Sequence, residues 1–187
     1  TLSYIVAAEA PSYDLHKEST FAAVHPIRPF YSLLIRVNPE NPQSPTDFQC
    51  DLCVGEVPKP TDGGKTYTFK IKKGVKFHDG QVMTAHDVVA TYNKIAFPPQ
   101  GVASVRKAFF KMLDSVTAPD DETVVFKLKF ATGSFLPVLA NPMSPIYSAK
   151  DLKEHGYDWH EKNVNGTGAF KFKEAVAGSH VDGVRFD

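Results

Sequence analysis

Residues 66 to 89 decide the fold, and they read TYTFKIKKGVKFHDGQVMTAHDVV. At the start of this stretch, apolar Tyr67, Phe69 and Ile71 alternate with polar side chains, and this period of two predicts a half-buried β-strand. Near its end, the tetrapeptide at 84–87, Thr-Ala-His-Asp, has the pattern of a capping box, in which side chains satisfy the free N–H groups of a helix start. The stretch therefore predicts a strand, a turn and a capped helix.

The capped helix is predicted to continue to about Ile95. Val88, Tyr92 and Ile95 lie at helical spacing and form one apolar stripe for the core. Pro98 and Pro99 prevent the helix from continuing. Shorter elements are predicted after it in this order: a helix at 102–113, a β-hairpin at 116–130, short helices at 134–140 and 148–154 with Ser134 and Ser148 as N-caps, and a terminal β-hairpin at 169–186.

The N-terminal third is less regular. Residues 2–8 are apolar and β-prone, which predicts a short strand followed by an exposed turn. Residues 21–35 have roughly helical spacing that Pro26 and Pro29 interrupt, so they predict a broken helix. Residues 38–60 contain five prolines and many polar residues, which predicts an extended connector.

Composition limits the classes of partner. The chain has 187 residues, 42% of them hydrophobic, which is enough to bury a core. Lys plus Arg and Asp plus Glu both number 21, so no bulk charge favours nucleic acid or an anionic membrane. The apolar runs are only a few residues long, so no membrane span is predicted. The N-terminus lacks the pattern of an export signal, which fits a mature or trimmed chain.

The two cysteines, Cys50 and Cys53, form a CxxC motif. Such a spacing fits a redox dithiol, half of a metal site or a local disulfide. A zinc site needs further ligands, and no second CxxC or HxxxH motif accompanies this one. The prolines that follow at 58 and 60 prevent a long helix after the motif, so a structural pair in a loop is the favoured interpretation.

No catalytic, metal or cofactor site is predicted. The seven histidines are scattered, and His155 and His160 are not one helical turn apart. The Gly166-Thr-Gly168 motif precedes a predicted strand, so it indicates a turn and not a phosphate-binding loop. Three aromatic residues lie outside the core patterns and could each present a ring to a ligand: Tyr13, Tyr31 and Trp159.

The stretch 67–80, together with 83–89, closely resembles the signature of the family 5 bacterial solute-binding proteins, the peptide and nickel receptors of ABC importers. Further elements of the resemblance recur in order along the chain: residues 13–16, 62–65, 118–120, 123–126, 135–140 and 166–170. The resemblance therefore covers nearly the whole chain. One departure is the segment at 50–57, where many relatives have a Pro-x-Leu-Ala pattern, and this places the chain in a divergent branch.

The resemblance implies an α/β (α+β mixed) fold, a lobe of the periplasmic-binding-protein type II kind. We expect a mixed β-sheet with flanking helices and an appended smaller α+β subdomain. The chain would be a partial N-terminal lobe that lacks the second lobe of the receptor. The expected parts are the first strand and broken helix of the main lobe at 1–40, the appended subdomain at 41–165 and a return hairpin to the main lobe at 166–187.

The resemblance also implies the function. We expect a receptor, not an enzyme, that captures a peptide, a nickel complex or another small organic solute between two lobes and delivers it to an ABC permease of the inner membrane. It would be periplasmic or extracellular, and the full-length protein could carry a lipid anchor. The expected ligand-binding residues of this lobe are Ala10, Pro11, Ser12, Tyr13 and Tyr31. CxxC-based redox chemistry, another enzyme activity and a non-transport module on the same scaffold remain the alternatives.

Overall fold

The computed structural model describes residues 3–187, which form an α+β unit built from short elements. The four helices are α1 (Phe21–Ile27), α2 (Ala85–Ala96), α3 (Phe135–Leu139) and α4 (Ala149–His155). The seven strands are β1 (Ile35–Val37), β2 (Phe48–Cys50), β3 (Thr66–Lys70), β4 (Leu113–Asp120), β5 (Thr123–Leu128), β6 (Phe170–Val176) and β7 (His180–Arg185). Among these residues, no helix is long and apolar enough to cross a membrane.

The central sheet has three antiparallel strands in the order β3-β5-β4. Its register places Tyr67 opposite Phe126 and Phe69 opposite Val124, so the apolar residues of both strands lie on one face. Phe69 and Phe126 are almost fully buried, and their rings contact edge to face. The predicted strand and the predicted hairpin of β4 and β5 are therefore confirmed.

Helix α2 begins with the capping box that the sequence predicts. The Thr84 hydroxyl accepts a hydrogen bond from the His86 N–H at 3.2 Å, and the Asp87 carboxylate accepts one from the Thr84 N–H at 2.8 Å. The same carboxylate also accepts from the N–H of Ala149 at 2.8 Å, at the start of α4. The cap thus sets where α2 begins and also joins α2 to α4.

Two hydrophobic cores form on either side of α2. The larger core packs the apolar stripe of Val88, Tyr92 and Ile95 against the central sheet and α3. The smaller core gathers α1, its neighbouring turn and the residues around Tyr147 and Leu152. Helix α1 passes directly into a 3₁₀ turn at Arg28–Phe30, so the broken helix predicted at 21–35 is confirmed as far as Phe30. Pro26 lies inside α1 and does not interrupt it, and Ile35 already begins β1.

The predicted helix at 102–113 is wrong. Only a 3₁₀ turn forms at Lys107–Phe110, and Leu113 already begins β4, where it pairs with Leu128. Val105 and Phe109, which would share one face of such a helix, are both exposed. Pairing with an existing strand edge satisfies the backbone and buries Leu113 completely, so the tertiary contact overrides the local helical spacing.

Two further predictions, the strand near the N-terminus and the cap at Ser134, do not hold in the described residues. Of the predicted strand at 2–8, residue Leu2 lies outside the described residues, and residues 3–8 form no strand. An extended segment needs a neighbouring strand edge to bind its N–H and C=O groups, and residues 3–8 pair with none in this part of the chain. Ser134 precedes α3 without a capping hydrogen bond from its side chain, whereas the Ser148 hydroxyl caps α4 by accepting from the Asp151 N–H at 3.2 Å.

The Gly166-Thr-Gly168 motif lets one backbone segment lie against another. The N–H of Gly168 donates to the carbonyl of Phe30 at 3.0 Å. A Cβ added at Gly166 would lie 2.1 Å from the carbonyl oxygen of Phe30, and one at Gly168 would lie 2.5 Å from the Phe30 carbonyl carbon. The motif thus joins the start of β6 to the turn after α1, and it is a packing site, not a phosphate loop.

We predict that Gly168→Ala destabilises the chain by about 2 kcal/mol or more, because the added methyl group meets backbone atoms that cannot rotate away. Gly133→Ala is the matched control, since a Cβ there meets nothing within 4 Å. The free energy of unfolding, measured by urea denaturation, distinguishes the two variants. Equal stability of both variants would show that the close approach at Gly168 does not exist.

Candidate ligand-binding surface

The segment 10–14, which contains most of the predicted ligand-binding residues, is held by backbone and aromatic contacts. The N–H of Tyr13 donates to the carbonyl of Glu161 at 3.0 Å, and the Ser12 hydroxyl accepts from the N–H of Asp14 at 3.1 Å. The Tyr13 ring lies 5.5 Å from the ring of Phe172 on β6. These contacts fix the segment between the terminal hairpin and the turn at 159–161.

A buried ion pair fastens the end of this segment to α2. The ammonium of Lys94 lies 2.6 Å from a carboxylate oxygen of Asp14, and their side chains are only 1% and 3% exposed. The other carboxylate oxygen of Asp14 accepts from the His16 N–H at 3.0 Å and from the Tyr147 hydroxyl at 3.0 Å. A buried carboxylate is stable only when it is paired and hydrogen-bonded in this way.

Tyr147 connects the ion pair to two buried histidines. Its hydroxyl accepts a hydrogen bond from the Leu15 N–H at 2.9 Å, and the Lys94 ammonium lies 4.8 Å from the centre of its ring. The rings of His16 and His160 stack on the Tyr147 ring at 3.9 Å and 4.0 Å. The result is a compact buried layer of three stacked rings beside one ion pair.

This layer shifts the pKa values of its members. Burial lowers the pKa of His16 to about 3, and the positive charge of Lys94 acts in the same direction. Burial and Lys94 likewise lower the pKa of His160 to about 3. For Asp14, burial opposes ionisation, but its interactions with His16 and with the Lys94 ammonium outweigh burial and hold the pKa of this carboxyl below its usual value. The layer therefore keeps the carboxylate charged and both histidines neutral near pH 7.

Three of the five predicted ligand-binding residues lie on two different open surfaces. Ala10 and Tyr13 line a groove of about 1230 Å³ between the N-terminal segment, Pro29-Phe30 and the β6–β7 hairpin. Tyr31 lines a smaller pocket of about 420 Å³ between the turn after α1, Arg36 and the start of β6. Pro11 and Ser12 adjoin Tyr13 in the chain and line neither surface. Their role in binding a ligand stays a prediction.

Two of the three candidate aromatic residues, Tyr31 and Trp159, are buried to different degrees. Tyr31 is only 8% exposed and packs against Tyr147, with ring centres 5.2 Å apart. Trp159 is half-buried and stacks on His155 at 5.0 Å. Of the three, Tyr13 and Tyr31 border an open surface, whereas Trp159 lines neither the groove nor the pocket.

The cysteines form a disulfide beside the smaller pocket. Cys50 ends β2, Cys53 forms a β-bridge with Ile71, and their Cα atoms are 4.9 Å apart. Between them, the Asp51 carboxylate accepts a hydrogen bond from the Leu33 N–H at 2.8 Å. The motif therefore does not begin a helix, as a thioredoxin-like dithiol would, and it closes a loop whose aspartate supports the wall of the pocket.

Sequence reasoning missed the residues of α2 that hold this site. Asp87, Thr91 and Lys94 are spaced i, i+4 and i+7, and we call them the polar stripe of α2. Thr91 exchanges hydrogen bonds with the backbone of Tyr147, while Asp87 and Lys94 bind Ala149 and Asp14. A polar stripe at helical spacing usually indicates a solvent-facing surface, so only its position next to the apolar stripe could have suggested burial.

Residues 53–187 match the model of the bacterial extracellular solute-binding proteins, family 5 Middle. The oligopeptide-binding protein AppA of Bacillus subtilis is 37% identical over 137 residues, which make up 70% of this chain and 24% of AppA. The glutathione-binding protein GsiB of Pectobacterium atrosepticum is 35% identical over 124 residues, 66% of this chain and 23% of GsiB. The solved structure of AppA with a nonapeptide has a TM-score of 0.83 at 29% identity and covers 97% of this chain and 35% of that chain.

The structural matches show that the chain has the fold of a lobe of a type II periplasmic binding protein. They confirm the predicted fold class. The chain belongs to the bacterial extracellular solute-binding proteins of family 5. It spans about a quarter of the length of the two curated relatives named above. The family resemblance noted from the signature at 67–89 is therefore confirmed.

We predict that Lys94→Met destabilises the chain by about 3–5 kcal/mol, because it leaves the buried Asp14 carboxylate without its partner. The double variant Asp14→Asn with Lys94→Met should recover part of this loss. Lys17→Met is the control, since the Lys17–Glu161 pair is partly exposed and is expected to contribute less than about 1 kcal/mol. Chemical denaturation measures all three, and a loss for Lys94→Met no greater than for Lys17→Met would contradict the buried pair.

We predict that the free energy of unfolding falls between pH 7 and pH 5. The folded state keeps His16 and His160 neutral down to about pH 3, whereas the unfolded chain binds protons near the ordinary histidine pKa of 6.5. The contribution of these neutral histidines to stability is therefore present above pH 6.5 and is lost as the pH falls. At pH 5 the loss is about 2 kcal/mol for each histidine.

Denaturation curves at the two pH values test this prediction. His160→Phe keeps the ring stack and removes one titrating group, so it should show a smaller loss between pH 7 and pH 5. His86→Gln changes an exposed histidine and should show the same loss as the unmodified chain. A pH dependence that His160→Phe leaves unchanged would mean that His160 is not responsible.

Proposed function

We propose that this chain is part of the N-terminal lobe of the substrate-binding component of a bacterial ABC importer. The full receptor would capture a peptide, a nickel complex or another small organic solute in a cleft between two lobes and deliver it to a membrane permease. The observation that carries the proposal is the family match over residues 53–187. Superposition of nearly the whole chain on the oligopeptide-binding protein AppA supports it.

In the proposed mechanism, this lobe supplies one wall of the cleft. The segment from Ala10 to Asp14, in which Tyr13 borders the groove, and the rim near Tyr31 form that wall. Both are rigidly supported, the first by the buried ion pair with Lys94 and the second by contacts with Tyr147. The second lobe would supply the opposite wall and close by hinge motion, since a site with one wall buries too little of a small ligand.

The division of the chain follows the same proposal. Residues 1–40 and 166–187 would belong to the main lobe, and residues 41–165 to its appended subdomain. Contacts of α1 with the terminal hairpin in the smaller core support the grouping of 1–40 with 166–187. The cores do not follow the other boundary, because Met143, Tyr147 and Leu152 also pack in the smaller core, and Leu34 and Ile35 pack in the larger one. The receptor would work in the periplasm or outside the cell, and a lipid anchor would belong to the full-length protein.

The proposal treats the protein as a receptor and not as an enzyme. The CxxC alternative would require an accessible thiolate, and Cys53 is 1% exposed and bonded to Cys50. The disulfide suits an oxidising compartment, where an exported receptor would fold. The non-transport alternative is separated from the importer by the ligand test below.

The test uses the full-length receptor and measures its thermal stability against di- to nonapeptides, nickel complexes and small organic acids. A ligand at a hundredfold its dissociation constant should add about 2.7 kcal/mol of stability to the protein. We expect a saturable shift for one class of ligand and a much weaker one with the isolated 187-residue chain. No shift across the panel, with the receptor folded, would refute the transport function.

Two variants of the full-length receptor test whether the segment from Ala10 to Asp14 forms a wall of the ligand-binding cleft. Tyr13→Ala should weaken binding of the active ligand without a comparable loss of stability, because its ring borders the groove. Phe109→Ala removes an exposed aromatic ring that lines neither the groove nor the smaller pocket, so it should leave binding unchanged. Unchanged affinity in Tyr13→Ala would remove this segment from the proposed site and would leave the receptor function standing.

A further inference from the structure

Three side chains of types that can bind metal ions lie together on the terminal hairpin, apart from the buried layer and the smaller pocket. Two of them, His180 and Asp182, also line the groove. Glu174 of β6 pairs directly with Asp182 of β7, and His180 lies two residues before Asp182 on the same strand. Residues two apart on a strand point to the same face, so all three side chains share one face of the hairpin. Their ligand atoms, one from each residue, all lie within 4.8 Å of one another.

Of the two carboxylates in this group, Glu174 is paired with a lysine and Asp182 with a histidine. Two carboxylates face each other across the hairpin, which is an unfavourable arrangement for like charges. The Lys173 ammonium contacts Glu174 from one side at 3.0 Å. A carboxylate oxygen of Asp182 lies 3.9 Å from Nε2 of His180. A cation between the three side chains would offset the repulsion of both carboxylates.

A residue outside the group contacts the ring of His180. The Ser179 hydroxyl lies 2.9 Å from Nδ1 of His180, within hydrogen-bond distance. This contact leaves Nε2 facing the carboxylate of Asp182. Metal-binding histidines are generally held in this way, with one ring nitrogen hydrogen-bonded to a neighbour and the other free for the ion.

We propose that Glu174, His180 and Asp182 bind a divalent first-row transition metal ion such as Zn²⁺. One imidazole nitrogen and two carboxylate oxygens are a ligand set for such ions, whereas Ca²⁺ and Mg²⁺ prefer oxygen ligands alone. Ligand atoms around one Zn²⁺ lie roughly 3.5 Å apart, as its bond lengths of about 2.0–2.2 Å require. All three side chains are exposed, so small rotations close the remaining distance and water completes the coordination.

The test is calorimetric titration of the metal-free 187-residue chain with Zn²⁺, with Ca²⁺ as a comparison. We expect one Zn²⁺ per chain, a loss of affinity of at least about tenfold in His180→Ala, and a smaller loss in Asp182→Asn. Lys173→Met should strengthen binding, because it removes the ammonium that competes for Glu174. Circular dichroism verifies that these exposed substitutions leave the fold unchanged.

His86→Ala is the matched control. His86 is an exposed histidine 3.2 Å from the carboxylate of Asp121, so it offers a two-residue pair without the third ligand. Its substitution should leave Zn²⁺ affinity unchanged. Absence of stoichiometric binding, equal affinity in His180→Ala and the unmodified chain, or tighter binding of Ca²⁺ than of Zn²⁺ would each overturn the proposal. None of these outcomes bears on the receptor function, which depends on the family match.

Discussion

The rest of the structure depends on the buried ion pair between Lys94 and Asp14. It joins α2, which belongs to the larger core through its apolar stripe, to the N-terminal segment, which belongs to the smaller core. A charge removed from water is stabilised only by an oppositely charged and hydrogen-bonded partner, so the two sides cannot separate without exposing or stranding it. The pair therefore helps to fix the position of the smaller core relative to the larger one.

The polar stripe of α2 extends the same constraint along the helix. Asp87 binds the start of α4, Thr91 binds the backbone of Tyr147, and Lys94 binds Asp14. Each of these contacts is satisfied within the protein, so the helix can be buried on a polar side as well as on an apolar one. The ion pair with Lys94 fixes the end of the segment at 10–14, which borders the groove.

The signature that identifies the family is used almost entirely for the scaffold. Tyr67 and Phe69 fill the core, and the ring nitrogens of His78 contact the carbonyl of Gly168 at 3.0 Å and the N–H of Gly166 at 3.3 Å. Two pieces of the resemblance, the strand-and-turn motif and the glycine motif, are therefore in direct contact. This explains how the chain can share 37% identity with an oligopeptide-binding protein while the signature says nothing about which solute it binds.

The sequence by itself determined the strand at 66–70, the capped α2, the β4–β5 and terminal hairpins and the family, because each depends on local periodicity, capping or turn residues. Tertiary structure decided the rest. Leu113 joined a strand because a partner edge was available, and residues 3–8 formed none because they met no such edge. The sequence predicted only part of the candidate site. It singled out Tyr13 as an aromatic residue in a turn, but it did not predict the buried contacts that hold the segment of Tyr13 in place. Lys94 is 80 residues from Asp14, and no local pattern indicates that a lysine on a polar helix face will be buried against a carboxylate so distant in the chain.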